Sequence, residues 1–234
     1  MKRGSGGRRA RVASIFKVKP LSNFPGFRKS AVASGMNDSV PDAAPDSAQA
    51  VLRLLQSRRS VSPAGLTEPG PSPAEIETLL TIAMRVPDHG KLTPWRFIAF
   101  AGEARLRAGA AIAEVFAADN PDAEAARLAL ERNRLAHAPL VIGVVSRAAP
   151  HVKIPEWEQQ LSAGAVCTLL TVAANALGYA TCWLTEWYAY DRRVLARLGL
   201  GADERMAGFI HIGSAREKPQ DRPRPALADK VTTY

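Results

Sequence analysis

Pro139-Leu140-Val141-Ile142-Gly143-Val144-Val145-Ser146 is an unbroken apolar run of strand length, rich in β-branched residues. A run without polar alternation predicts a strand covered on both faces. After a loop at 150–155 comes the longest helical pattern in the chain, residues 156–178. A strand with two covered faces needs layers on both sides, and a helix lies next to it in sequence. An α/β or α+β domain follows.

Upstream, residues 48–58 place Val51, Leu52, Leu54 and Leu55 at helical spacing. Residues 60–71 carry Pro63, Gly65, Pro69, Gly70 and Pro71 and read as a loop. Ser72, Pro73 and Glu75 fit N-cap, first helical position and capping-box acid, opening a second helix that Pro87 ends. Residues 95–101 read as a strand, and 103–117 and 123–137 as helices. Residues 179–186 and 207–213 are further strands, 191–198 is a short helix, and the final 231–234 is a strand candidate. No repeat is visible.

The chain has 234 residues, enough for one substantial core, and 47% of them are apolar. The net charge is +9, but all of it lies in residues 1–35, which hold nine Lys and Arg and no acid. The rest carries 22 basic and 22 acidic residues. That balance argues against nucleic acid as the partner of the folded part. Residues 1–47 are expected to be a basic, disordered extension and linker, with Met36 as an alternative start, and 48–234 the folded domain. Cys167 and Cys182 sit in apolar stretches as small buried hydrophobes. A reducing, cytoplasmic setting is expected. Residues 161–178 contain Ser162, Thr168, Thr171 and Asn175, so they read as a core or subunit-interface helix, not a membrane span.

No Gly-x-Ser-x-Gly elbow, phosphate loop or Gly-x-Gly-x-x-Gly turn occurs, and the four histidines are scattered, so no metal site is expected. Redox chemistry here needs a borrowed cofactor. Cationic groups are the candidates for an anionic one. Arg58 and Arg59 close the first helix, where cations offset the macrodipole, but beside Ser60 their guanidiniums can also grip a phosphate. Arg85 lies at the end of the second helix, and His89 sits in the loop that follows.

The segments 54–60 (LLQSRRS), 83–97 (AMRVPDHGKLTPWRF), 138–145 (APLVIGVV), 153–166 (KIPEWEQQLSAGAV), 173–183 (AANALGYATCW) and 208–215 (GFIHIGSA) occur in this order. Together they resemble the flavin-dependent nitroreductase family, closest to its YdjA-type members. The resemblance implies an α+β three-layer sandwich, with a mostly antiparallel sheet flanked by helices. It implies a homodimer holding FMN at the subunit interface, NADH or NADPH as donor and a small organic acceptor. A protein that sequesters flavin with little turnover is the alternative. By position, Arg58, Arg59, Ser60, Trp183, Leu184 and Thr185 contact the flavin, with Arg85 and His89 reaching it from the partner subunit. Arg224, near the C-terminus, is a phosphate candidate. Ala173, Ala174, Asn175, Ala176, Leu177 and Gly178 correspond to a nicotinamide-nucleotide segment. Leu184-Thr185 departs from the Arg-Ser that close relatives favour, removing a charge.

Overall fold

The computed structural model describes residues 45–234. The basic extension expected for residues 1–35 lies outside them. In chain order the elements are α1 (Pro45–Ser57), β1 (Leu66–Thr67), α2 (Pro73–Ala83), β2 (Trp95–Ala101), α3 (Glu103–Asp119), α4 (Ala125–Arg132), β3 (Leu140–Ser146), α5 (Glu156–Ala176), β4 (Ala180–Leu184), α6 (Arg192–Arg197) and β5 (Arg205–Ala215).

The five strands form one sheet of order β1-β5-β3-β2, with β4 also on β5, and every pairing is antiparallel. The apolar run of β3 is buried at all seven positions. Its alternate side chains feed two separate cores. Val141 and Val145 meet Ile98, Phe100 and Phe209 with Ile112 of α3 and Leu195 of α6. Leu140, Ile142 and Val144 meet Ile210 and Ile212 with Leu79 of α2 and Val166 and Leu170 of α5. Two cores on opposite faces of one sheet make the expected α+β three-layer sandwich.

Local chemistry sets the boundaries. Ser72 Oγ accepts the Glu75 N–H at 3.3 Å, and Glu75 Oε2 accepts the Ser72 N–H at 2.8 Å, so the capping box forms as read. The Ser72 N–H and hydroxyl, both donating to it, hold the Glu75 carboxyl below its usual range. Three expectations shift. α2 stops at Ala83, before Pro87, and α4 is shorter than 123–137. Residues 231–234 form no strand: they are exposed and pair with no edge among the described residues.

Candidate functional site

The site begins at the outer edge of β4. There the chain leaving α1 runs alongside the strand, with Ser60 bridged in parallel to Thr181 and the Val61 N–H bonded to the Thr181 carbonyl at 3.0 Å. Leu184 lies three residues beyond Thr181, at about 3.3 Å per residue roughly 10 Å further along β4. The bridge is parallel, so Arg59 and Arg58 run from Ser60 back toward Ala180 and Tyr179, while Trp183, Leu184 and Thr185 continue from Thr181 in the opposite direction.

α1 delivers the arginines. The Arg58 N–H makes the last helical bond, to Leu54, at 2.9 Å. The Arg59 Nε–H donates to the Gln220 carbonyl at 3.0 Å and lies 3.7 Å from Asp221 Oδ1. Arg224 donates to the same Asp221 oxygen at 3.2 Å. The C-terminal segment therefore folds back onto Arg59, and Arg224 shares its carboxylate partner. The Arg58 guanidinium and the Ser60 hydroxyl have no side-chain partner among the described residues and are free to meet a ligand.

Trp183 is fixed by an irregularity in β5. The ladder pairs Val144 with Gly208 and Val145 with Met206, leaving Ala207 bulged. The Trp183 Nε1–H donates to the Ala207 carbonyl at 3.2 Å. The indole lies over Gly208, where a Cβ would come within 1.9 Å of Nε1, so only glycine fits. Trp183 remains 41% exposed on a partly buried strand, an aromatic surface open to a ligand.

The segment after Thr185 is clamped from below. Glu186 pairs with Arg134 at 2.7 Å, and Trp187 Nε1–H donates to Glu131 at 3.0 Å. Arg134 also grips Glu131 with two bonds of 3.0 Å, and Arg127 pairs with it at 2.7 Å. Burial alone would raise the carboxyl of the fully buried Glu131, but the Arg134 and Trp187 bonds outweigh it and hold it below its usual range.

Arg85 and His89 stand apart from this edge in the single chain. Arg85 is exposed after α2, with no side-chain partner among the described residues. His89 Nδ1 lies 2.7 Å from Glu158 Oε2 on α5. Of the 173–178 segment, Ala173 and Ala174 are buried in the α5 core, whereas Ala176, Leu177 and Gly178 are exposed. Asn175 ties the helix end to β4, donating to the Tyr179 carbonyl at 2.7 Å and to Thr181 Oγ1 at 3.5 Å; its buried Oδ1 has no partner.

Sequence reading missed Asp221, Glu158 and the Glu131–Arg134 pair. No local pattern marks them, because their partners are distant in the chain or, for Glu131, ordinary helix neighbours. Among the described residues no cluster of three His, Cys, Asp or Glu is arranged to hold a metal ion, and no helix is long and apolar enough to cross a membrane. A hollow of about 710 Å³ beside Tyr190, Arg192, Arg205 and Met206 contains none of the candidate residues.

Residues 55–214 match the model of the nitroreductase family. The chain is 34% identical over 167 residues to YdjA of Escherichia coli (strain K12), whose name ascribes NAD(P)H nitroreductase activity to it; the match spans 71% of this chain and 89% of that one. Among solved structures, a nitroreductase-like family protein from Bacillus cereus superposes with a TM-score of 0.70 at 22% identity, over 79% of this chain and 95% of the other. A nitroreductase with bound FMN from Bacteroides fragilis NCTC 9343 superposes with a TM-score of 0.57 at 20% identity, over 79% and 98%.

Proposed function

This chain belongs to the nitroreductase family, and from that premise we propose that it is an FMN-dependent oxidoreductase. It takes hydride from NADH or NADPH and reduces a small organic acceptor of nitroaromatic or quinone type. The observation that supports this reading is the Ser60–Thr181 bridge, which seats the end of the Arg58-Arg59-Ser60 segment against β4, the strand whose far end exposes Trp183.

The residues fit the cofactor's chemistry. Arg58 has no competing partner among the described residues, Arg59 is held by the Gln220 carbonyl and the exposed Asp221 carboxylate, and Arg224 by that carboxylate; a phosphate is the stronger acceptor for all three. Ser60 and Thr185 offer hydroxyls to a polyol chain. The pinned indole of Trp183 offers a flat apolar surface to a ring. Bound here, FMN would supply two-electron transfer, which no side chain of this protein can perform. The protein's part is to bind, orient and exclude water, and its arginines offset the negative charge of the reduced cofactor.

We further propose that the working unit is a homodimer. α1 exposes Val51, Leu52 and Leu55, and α5, which it touches, exposes Trp157 and Leu161 at 65% and 53%. An apolar patch spread over two adjoining helices suits a second copy of the chain. Arg85 and His89, which stand apart from the β4 edge of their own chain, then reach the site of the other copy. The donor nucleotide passes near Ala176, Leu177 and Gly178, the exposed end of α5.

The test is direct. Purified protein incubated with FMN should retain it and show a flavin spectrum, which anaerobic NADH or NADPH should bleach. A protein that takes up no FMN refutes the proposal. Flavin that binds but stays oxidised with both donors leaves a sequestering protein in its place.

A further inference from the structure

We infer that Glu158 is a positioning residue that holds His89 as the proton donor, through Nε2, at the site of the second copy; the inference rests on the flavin reading above. It begins with a loop whose shape is fixed at unusual cost. Between α2 and β2, Gly90, Lys91 and Thr93 have φ values of 67°, 54° and 46°. Two of the three are not glycine, and for such residues the left-handed region is strained. The loop is held in place from several directions. Asp88 accepts the N–H of Leu92 at 3.1 Å and of Thr93 at 2.9 Å. Gly90 packs against Ile154, so closely that a Cβ would come within 2.4 Å of its Cδ1. The Pro87 carbonyl accepts from Ser162 of α5 at 2.8 Å, and Ser162 in turn accepts from Trp95 of β2 at 3.2 Å.

This scaffold presents His89 outward, in a loop where Lys91 and Thr93 are exposed as well. His89 Nδ1 meets Glu158 Oε2 at 2.7 Å, with the imidazole 62% and the carboxylate 45% exposed. An exposed pair of this kind adds little to stability, so it does not account for the strain beneath it. Its chemical consequence is definite. An ionised carboxylate only accepts, so Nδ1 carries the hydrogen and Nε2 is left as the one ring atom free to exchange a proton. When Nε2 is protonated, the imidazolium has its counter-charge 2.7 Å away. This is the arrangement by which a carboxylate fixes the tautomer of a general acid–base histidine.

Position then gives the pair its task. Glu158 is flanked on α5 by Trp157 and by Leu161 one turn on, both exposed. They belong to the surface assigned above to the second copy. Covered there, the pair loses water and its hydrogen bond strengthens. A quinone-type acceptor that gains a hydride also needs a proton. The His89 Nε2–H bond breaks as the acceptor O–H bond forms, the nicotinamide donor is the source of the electron pair, and water reprotonates Nε2.

The test compares wild type, Glu158→Ala and Glu158→Gln, each incubated with FMN, and His89→Ala as reference. Glu158 is half exposed, so removing its side chain spares the core. In ring-¹⁵N spectra of the protein without FMN, wild-type His89 should carry its hydrogen on Nδ1. Glu158→Ala should shift it toward Nε2, and Glu158→Gln, which keeps an acceptor, should preserve the wild-type state. With FMN bound, Glu158→Ala should hold FMN within about threefold of wild type and leave the acceptor KM unchanged. Its kcat should fall at least tenfold, toward His89→Ala, in keeping with the roughly 10²-fold or greater contribution of a general acid. An unchanged tautomer or an unchanged kcat in Glu158→Ala overturns the inference while leaving the flavin site standing. Wild-type protein that binds no FMN overturns both.

Discussion

Arg59 and Arg224, far apart in the chain, converge on one oxygen of Asp221, at 3.7 and 3.2 Å. Both contacts are exposed enough to be worth less than about 1 kcal/mol each. A phosphate offers these guanidiniums several charged acceptors, and hydrogen bonds to charged groups are worth roughly 1.5–3 kcal/mol. Arg59→Ala and Arg224→Ala are therefore each expected to weaken FMN binding by about tenfold or more, since 1.4 kcal/mol is one decade. Asp221→Ala, which removes only a competitor, should bind FMN at least as tightly as wild type. Titration of flavin fluorescence checks all three. An Asp221→Ala protein that loses FMN as badly as Arg59→Ala would show that the acid, not the phosphate, organises the arginines.

Glu131 is the buried end of the clamp under Glu186 and Trp187. It is fully buried and bonded to Arg134, Arg127 and Trp187. Taking away one member of such a group leaves its partners unpaired and typically costs about 3–5 kcal/mol. Glu131→Ala is expected to lower urea-unfolding stability by about 3 kcal/mol, and Arg127→Ala, at the exposed rim, by under 1 kcal/mol. Equal losses in the two variants would mean that the buried carboxylate carries no special weight.

The layers of this fold were legible because their signals are local. The run at β3, the Ser72–Glu75 box and the Trp95–Ala101 strand each announce themselves within a few residues. Arg58, Arg59 and Ser60, proposed above as an anion site, stand out in the sequence for the same reason. What composes the site around them is not local. Asp221 reaches Arg59 only because the C-terminal segment folds back, and Glu158 meets His89 across 69 positions. The bulge at Ala207 is invisible in a sequence that reads as ordinary strand. The strand expected at 231–234 failed for the opposite reason: local β propensity was present, but no free sheet edge met it.

Gly208 and Trp183 form a matched pair, since the indole occupies the space a Cβ would need. Gly208→Ala must push the indole off the sheet and break its bond to the Ala207 carbonyl. Overpacking of this kind costs about 1–3 kcal/mol. Trp183→Ala removes the obstacle, so the double variant should be more stable than the sum of the single effects predicts, with a coupling of about 1 kcal/mol. Unfolding curves of the four proteins measure it. Strict additivity would deny the contact.

His211 is fully buried, and neither ring nitrogen has a hydrogen-bond partner among the described residues. Burial first, and the nearby His137 second, lower its pKa to about 4 from an ordinary value of 6.5. Below that ordinary value the unfolded chain binds a proton that the folded protein refuses, so stability falls as the pH drops from about 6.5 to about 4. Over that window the loss from this one group is on the order of 3 kcal/mol, and above it no proton uptake is at stake. His211→Leu keeps the volume, removes two unpaired polar atoms and cannot take up the proton. It should match or exceed wild type in stability at pH 7.5, and its stability should decline less between pH 6.5 and pH 4. Chemical denaturation across that range decides the point: parallel pH profiles for the two proteins would show that His211 is not the group that titrates.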